Sequence, residues 1–240
     1  MDPIVTLAAN IAVICSLLHS AGVPVCFFVN YFVLLELGPP AVSNKETLLR
    51  LAFDKLANKN KANVKRLNTF IDDPARAMLV VDLSIQIHIY TILSIRQKTR
   101  WVSRIISALD NALASDNFND ISTQLLYATY TPHFNQLIQT VNDTNVDQQT
   151  LLRFSTLFSK VGRYLIYLGV ISDGITFIQE GESIYNHAYS ENITVVPHIN
   201  QIATDEDDDA ESIIIMLRLN QNETADTRAL ADAAASLTLE

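Results

Sequence analysis

This chain of 240 residues is short of charge, glycine and cysteine. Charged residues make up 18% and hydrophobic residues 49%, so the chain is more apolar than an ordinary soluble domain. Such a composition favours burial against partners as well as within the chain. The two cysteines, Cys15 and Cys26, lie in one apolar stretch, where we interpret them as buried thiols rather than a disulfide framework.

Motifs that carry chemistry are also missing from the sequence. There is no Walker loop, no dinucleotide-binding fingerprint and no nucleophile elbow. None of the five histidines pairs with another at a helical spacing of three or four, so a zinc site has little support. We therefore predict no enzymatic activity, no cofactor and no metal site.

The N-terminal stretch from residue 3 to residue 35 contains no charged residue. A Gly- and Pro-containing break at 20–24 divides it into two apolar halves, each shorter than the roughly 20 residues that a spanning helix needs. We predict a buried helical hairpin, in the core or in a subunit interface, and keep membrane contact through residues 4–37 as an alternative. No Lys or Arg precedes Lys45, which argues against a signal peptide and favours an intracellular or virion location over a secreted one.

Residues 73–104 join an apolar run to a basic one. Asp73 and Pro74 form a helix-start signal, and the run from 75 to 95 fits both a strand period and a helix period. We prefer a buried helix because the run is longer than most strands. On a continuing helix, Arg96, Arg100 and Arg104 line one face, since they are spaced at four residues.

Charge is divided unevenly along the chain. Residues 45–104 carry twelve Lys and Arg against five Asp and Glu, a net charge of +7, whereas residues 105–240 carry −14. Basic residues on helical surfaces supply phosphate contacts, and a tryptophan among them can stack a base or pack under an arginine. We therefore predict a nucleic-acid surface, with RNA favoured. Its candidate residues are Lys55, Lys59, Lys65, Arg66, Arg96, Lys98, Arg100, Trp101 and Arg104.

Two other interpretations of the basic residues stay open. They are solvated outer faces, or they pair with the acidic C-terminal part of a neighbouring copy.

Helix signals recur on both sides of this basic segment. Ser43 and Glu46 form a capping box before an apolar stripe through Leu48, Leu49, Ala52, Phe53 and Leu56, and a second short helix is predicted at 64–71. Downstream, one stripe runs through Ile105, Ile106, Leu109 and Leu113. Asp120 caps a helix carrying Ile121, Leu125 and Leu126; Pro132 restarts the chain, and Asp147 caps the next helix. Residues 162–178 read as one central helix in which Gly162 and Gly169 allow close packing.

Within residues 156–163, a Leu-Phe pair is followed by Gly162 and Arg163 and then by an apolar helix. This stretch resembles the BH1 region of Bcl-2-like death regulators. It departs from that pattern because the Asn-Trp pair that normally precedes the Gly-Arg is missing, and no second motif follows.

The last fifty residues differ from the rest in composition. Residues 192–196 and 213–219 are predicted as short strands, and 225–237 as an Ala-rich helical arm. The acidic run at 205–209 lacks the glycine and spacing of a calcium-binding EF-hand loop, so we interpret it as a solvated acidic loop. A sharper hypothesis is that it occupies the basic surface of the same or a neighbouring subunit until nucleic acid displaces it.

Together these patterns predict a mainly α, multi-helix bundle with a small two- or three-stranded β element near the C-terminus. The expected divisions are an apolar arm at 1–40, a helical core at 41–190 and an acidic segment with an arm at 191–240. The expected function is that of a non-enzymatic, self-associating assembly protein, in the manner of a viral nucleocapsid- or capsid-associated subunit, with nucleic acid and other structural proteins as partners. The alternatives are a membrane-associated protein and a helical protein-binding adaptor.

Overall fold

A computed structural model of the chain describes residues 2–20, 22–38, 44–57 and 77–190. Across these ranges the chain forms eight helices and one two-stranded sheet, which confirms the predicted mainly α class. The helices are α1 (Pro3–Leu17), α2 (Val25–Asn30), α3 (Lys45–Ala57), α4 (Leu83–Ile92), α5 (Ile95–Ala112), α6 (Ile121–Asn142), α7 (Gln148–Tyr167) and α8 (Ile171–Ser190). The strands are β1 (Val23–Pro24) and β2 (Met78–Leu79).

The small sheet does not lie where the sequence suggested. β1 and β2 pair antiparallel, with Val23 opposite Leu79 and Pro24 opposite Met78, so the described sheet joins the N-terminal stretch to the chain before α4. The predicted position near the C-terminus is therefore not supported. The two strands predicted there, at 192–196 and 213–219, lie outside the described residues.

Helix α1 lies at the centre of the core. Asp2 caps it by accepting a hydrogen bond from the backbone N–H of Ile4 at 3.0 Å. Because the helix is apolar on every side, it is stable only when buried all round, and it packs against α3, α4, α5 and α6. Residues such as Ile11 and Ile14 are completely buried. For α1, the structure therefore supports the predicted location in the core, whereas Val33 and Leu34 in the second half of the stretch are exposed.

Helix α3 follows its predicted stripe, since Leu49, Ala52, Phe53 and Leu56 are buried. The stripe predicted for α5 is also confirmed, because Ile105, Ile106, Leu109 and Leu113 are all buried. The other half of the capping box before α3, Ser43, and the short helix predicted at 64–71 lie outside the described residues.

From residue 77 on, the run predicted as one helix is divided into three elements. Its predicted start at Asp73 and Pro74 lies outside the described residues. β2 comes first, and Asp82 then caps α4 by accepting from the Ser84 N–H at 2.9 Å. The helix preference is thus confirmed for α4 and wrong for β2. A second break follows at Leu93, which is extended, and Ser94 with Gln97 forms a capping box that starts α5.

Helix α6 begins at the predicted Asp120 cap, but its buried side differs from the predicted one. Ile121 and Leu125 are 80% and 65% exposed, and the side that enters the core contains Tyr127, Tyr130, Phe134 and Leu137. The predicted restart at Pro132 is wrong, since this proline lies inside a continuous helix. Buried aromatic rings on both sides of it stabilise the helix across the missing hydrogen bond.

Helices α7 and α8 form an antiparallel hairpin, so the single helix predicted at 162–178 is wrong. Asp147 caps α7 as predicted, accepting from the Thr150 N–H at 2.9 Å. Gly169 has a φ of +82°, and the N–H groups of Gly169 and Val170 donate to the carbonyl oxygens of Ile166 and Leu165, both at 2.9 Å. This is the Schellman pattern that ends a helix at glycine.

Close packing in the hairpin involves a different glycine pair from the predicted one. A Cβ atom on Gly162 would lie 2.7 Å from the carbonyl oxygen of Gly174, and a Cβ on Gly174 would lie 2.7 Å from that of Gly162. The small residues that let two helices approach are therefore Gly162 and Gly174, one on each helix.

Candidate assembly and nucleic-acid surfaces

The structure brings only part of the predicted nucleic-acid set together. Lys59, Lys65 and Arg66 lie outside the described residues, and Lys55 is exposed on α3. The remaining members lie on α5 between residues 96 and 104, where the predicted helical spacing is confirmed. We call these side chains the basic start of α5: Arg96, Lys98, Arg100 and Arg104.

Arg104 and Trp101 are occupied within the protein. The Arg104 side chain is only 10% exposed, forms an ion pair with Glu36, and has its guanidinium carbon 4.7 Å from the centroid of the Trp101 ring. Trp101 itself is 6% exposed. Of its two predicted roles, Trp101 therefore has the one of packing under an arginine, and its burial leaves too little ring surface for stacking on a base.

The other three basic residues are more accessible. The Nη2 atom of Arg100 lies 3.7 Å from Oε2 of Glu36, and the Arg100 side chain is 39% exposed. Lys98 reaches the other side of α5, where its Nζ atom lies 3.8 Å from the centroid of the Tyr90 ring on α4. Arg96 is exposed. A phosphate group approaching the start of α5 would thus meet Arg96, Lys98 and Arg100.

Glu36 is a site residue that the sequence interpretation missed. It has a φ of 50°, an uncommon conformation for a residue other than glycine, and it lies near two arginines of α5. Its carboxylate offsets part of the positive charge that a polyanion would meet. One feature of the sequence could have indicated a role for Glu36: it is the only charged residue between Pro3 and Asn44.

The turn between α7 and α8 exposes a group of large apolar side chains. No charged residue occurs between Tyr164 and Ser172. Tyr167 lies against the start of α6, since its ring centroid is 5.7 Å from that of Phe118 and its hydroxyl donates to Asn119 Oδ1 at 3.5 Å. We call the resulting surface the apolar tip. Its members are Ile166, Tyr167, Leu168, Val170, Ile171 and Ile175, each between 38% and 58% exposed.

The apolar tip was also missed, because residues 162–178 were interpreted as a helix inside the core. The signal that could have shown it was Gly169, since glycine commonly follows the last residue of a helix. With α7 ended there, the apolar residues on either side of Gly169 fall in a turn at the outer end of a hairpin rather than in a buried helix.

A buried polar contact joins α6 to the end of α1. His133 is 2% exposed, and its Nδ1 atom accepts a hydrogen bond from the backbone N–H of His19 at 3.1 Å. Its Nε2 atom has no hydrogen-bond partner among the described residues. Burial, and then the charge of His19, lower the pKa of His133 to about 4, so this imidazole is neutral at physiological pH.

The described ranges contain no group of three or more His, Cys, Asp or Glu side chains that could hold a metal ion. The same ranges contain no helix with both the length and the apolar character needed to cross a membrane. Cys15 is buried, and burial raises the pKa of its thiol, as expected for a core thiol.

No family model, no curated protein and no solved structure matches this chain. The stretch that resembles a BH1 region lies within α7, where its two most specific residues have structural contacts. Gly162 packs against Gly174, and Arg163 forms an ion pair with Asp116 at 2.8 Å. These contacts account for both residues within this fold.

Proposed function

We propose that this chain is a non-enzymatic, self-associating assembly protein that also contacts nucleic acid. The observation that carries the proposal is the apolar tip. Monomeric proteins rarely expose contiguous apolar patches larger than a few hundred Å², and larger patches are typical of protein contact sites. The role of a nucleocapsid- or capsid-associated subunit is part of the same proposal, supported by the apolar composition and the uneven charge.

The tip is well suited to contact another protein chain. Its side chains are held by a rigid pair of helices, because Gly162 and Gly174 bring α7 and α8 into close contact just behind the turn. Covering the tip removes apolar surface from water without breaking any ion pair of the turn itself, since residues 164–172 carry no charge.

Size-exclusion chromatography with light scattering over a range of protein concentrations tests self-association. The double variant Leu168→Gln/Ile171→Gln is expected to weaken association about tenfold or more, because central apolar residues of an interface carry most of its binding energy. The matched control is Leu34→Gln/Leu51→Gln, which changes two apolar side chains that are 40% and 42% exposed elsewhere. Equal effects of both double variants would contradict a role for the tip.

Nucleic-acid contact through Arg96, Lys98 and Arg100 is the second part of the proposal. The three residues extend from a capped helix whose other half is anchored in the core, so they present charge at fixed positions. Contacts of this kind reach phosphate oxygens and carry no base specificity. Binding is therefore expected to be independent of sequence and strongly dependent on salt.

Fluorescence anisotropy with a labelled single-stranded RNA, at about 50 and 200 mM salt, tests this part. Arg96→Gln/Arg100→Gln should weaken binding and reduce the salt slope by about one for each contact removed. Glu36→Gln should strengthen binding, because it removes the carboxylate near Arg100 and Arg104. The control Arg50→Gln/Arg163→Gln removes the same two positive charges from the chain, but on α3 and α7 instead of α5. Salt-insensitive binding, or an equal loss in the control, would refute the assigned contacts.

A protein-binding adaptor is the second candidate, and the same apolar tip favours it. An uncharged hairpin end also fits the groove of a different protein. A wild-type chain that is monomeric at every concentration would exclude self-association and favour this candidate. The packing of α1 against four other helices argues against membrane contact through this helix.

A further inference from the structure

The junction of α4 and α5 exposes a surface with two chemical parts. Four apolar side chains, each between 43% and 60% exposed, form the first part: Leu83, Ile87, Ile92 and Ile95. The accessible basic residues Arg96, Lys98 and Arg100 form the second part. The two parts meet where Lys98 of α5 lies over the Tyr90 ring of α4. We call this combined area the α4–α5 surface.

Helix α8 ends near the level of this surface along the bundle. α5 and α7 run in the same direction, since Arg153 donates to Ser107 while Lys160, further along α7, donates to the carbonyl of Leu113. α8 runs the opposite way, because Gly174 faces Gly162 and Gly181 faces Ser155. The C-terminal end of α8 therefore lies at the end of the bundle where α5 begins.

The chain after α8 contains an acidic part followed by an apolar part, and these complement the basic and apolar parts of the α4–α5 surface. Residues 205–211 include six acidic side chains, and residues 213–217 are five consecutive apolar residues. Fourteen residues, 191–204, lie between Ser190 and Asp205, which allows a reach of roughly 50 Å when extended. That reach exceeds the width of two or three packed helices, each about 10 Å across.

We propose that residues 205–217 bind across the α4–α5 surface of the same chain, with the acidic residues against Arg96, Lys98 and Arg100 and the apolar residues against α4. The segment matches both the basic and the apolar part of the surface. A solvated acidic loop would leave the four apolar side chains of the surface exposed to water. A covalent link through the chain also raises the local concentration of the segment above that of a second copy.

This contact regulates nucleic-acid binding, a consequence that rests on the proposed function. RNA and residues 205–211 compete for the same three basic side chains. Binding of RNA then requires displacement of the segment, and displacement exposes its apolar part together with the outer side of α4.

Zero-length carbodiimide cross-linking of the full chain tests the contact without RNA, because the reagent joins a lysine amine to a carboxylate only when they touch. We expect Lys98 to be joined to a carboxylate within residues 205–211, in monomeric material and independently of protein concentration. Mass spectrometry of the digested monomer identifies the pair. Lys98→Arg keeps the charge and should remove the cross-linked peptide.

Asp207→Arg/Asp208→Arg should lower the cross-link yield about fivefold or more, since exposed ion pairs each contribute up to about 1 kcal/mol. The control Glu180→Arg/Glu182→Arg makes the same change in net charge on α8 and should leave the yield unchanged. Ile87→Gln tests the apolar part and should also lower the yield. Absence of the Lys98 cross-link, or its presence only between chains, would overturn the inference.

Added RNA separates this inference from the proposed function. A decrease in the cross-link with rising RNA concentration supports both. A cross-link that RNA does not affect, in a chain that fails to bind RNA by anisotropy, supports the contact and refutes the nucleic-acid role.

Discussion

His133 is a titratable side chain inside an apolar core, and its burial links stability to pH. In the folded chain the pKa of His133 is lowered to about 4, whereas an unfolded histidine has a pKa near 6.5. Between these values the unfolded chain binds the proton that the folded chain excludes. Folding stability should therefore fall as the pH decreases from 6.5 to 4, and this effect should be absent above pH 7.

We predict that acidification from pH 7 to pH 4.5 lowers the free energy of unfolding by about 2 to 3 kcal/mol through His133, since each unit of pKa difference corresponds to about 1.4 kcal/mol. Urea unfolding at the two pH values measures this cost. His133→Asn keeps an acceptor for the His19 N–H and removes the titration, so it should lose less stability on acidification than the wild type. His88→Asn, which removes an exposed imidazole, is the control. An equal acid loss in wild type and His133→Asn would contradict the prediction.

At the scale of residues, local contacts were predictable and distant ones were not. The Asp120 and Asp147 caps bond to amides two or three residues away, so their spacing is visible in the sequence. The ion pair of Glu36 with Arg104 joins residues 68 positions apart, and no local pattern encodes it. The basic residues of the site were thus identified, but their acidic neighbour was not.

At the scale of elements, the contact between α7 and α8 depends on two glycines. A Cβ at position 174 would lie 2.6 Å from Ile166 Cγ1 and 2.7 Å from the Gly162 carbonyl oxygen. A backbone oxygen in a helix has little freedom to move away. The two helices would have to separate, and the loss of packing would exceed the helix propensity gained by replacing glycine.

We predict that Gly174→Ala lowers the free energy of unfolding by about 2 kcal/mol, within the range for overpacked sites. Thermal and urea unfolding followed by circular dichroism would measure the change. Gly169→Asn is the control, because asparagine tolerates a positive φ and a Cβ there meets nothing within 4 Å. A neutral or stabilising Gly174→Ala would show that α7 and α8 are not in close contact.

Helix existence was predicted better than helix limits. The effects of proline and glycine depend on their context, and the predictions at Pro132 and Gly169 were wrong in opposite ways. Pro132 was interpreted as a break but lies inside α6, where the buried aromatic rings outweigh the lost hydrogen bond. Gly169 was interpreted as interior but ends α7, and this error concealed the apolar tip.

At the scale of the whole molecule, one contiguous core includes residues from α1 through α8. α1 contributes many of its completely buried side chains and contacts helices from both the first and the second half of the chain. Removing volume from α1 should therefore weaken the whole fold rather than one local element.

We predict that Ile11→Ala lowers the free energy of unfolding by about 3 kcal/mol, as expected when a completely buried isoleucine leaves a cavity. Urea unfolding should give the same midpoint by far-UV circular dichroism and by the fluorescence of Trp101, which lies on α5. Val33→Ala, at a side chain 43% exposed, should change stability by less than about 1 kcal/mol. Separate midpoints for the two probes would mean that the chain does not unfold as one cooperative unit.

The fold class was predictable because apolar periodicity and caps recur along the chain. The arrangement of the helices was not, since several apolar stripes of similar strength compete for the same core. Ile121 and Leu125 formed as good a stripe as Tyr127 and Phe134, and only tertiary packing decides between them.

The central position of α1 has a consequence for synthesis on the ribosome. Helix α1 is synthesised before the helices that cover it, and the contact of His19 with His133 must wait for 114 further residues. At about 5 to 20 residues per second, that delay is roughly 6 to 23 seconds. During this time α1 lacks the part of its core that α6 supplies. We therefore expect the nascent chain to bind chaperones that recognise apolar segments, and we expect its yield in cells to fall when such chaperones are scarce.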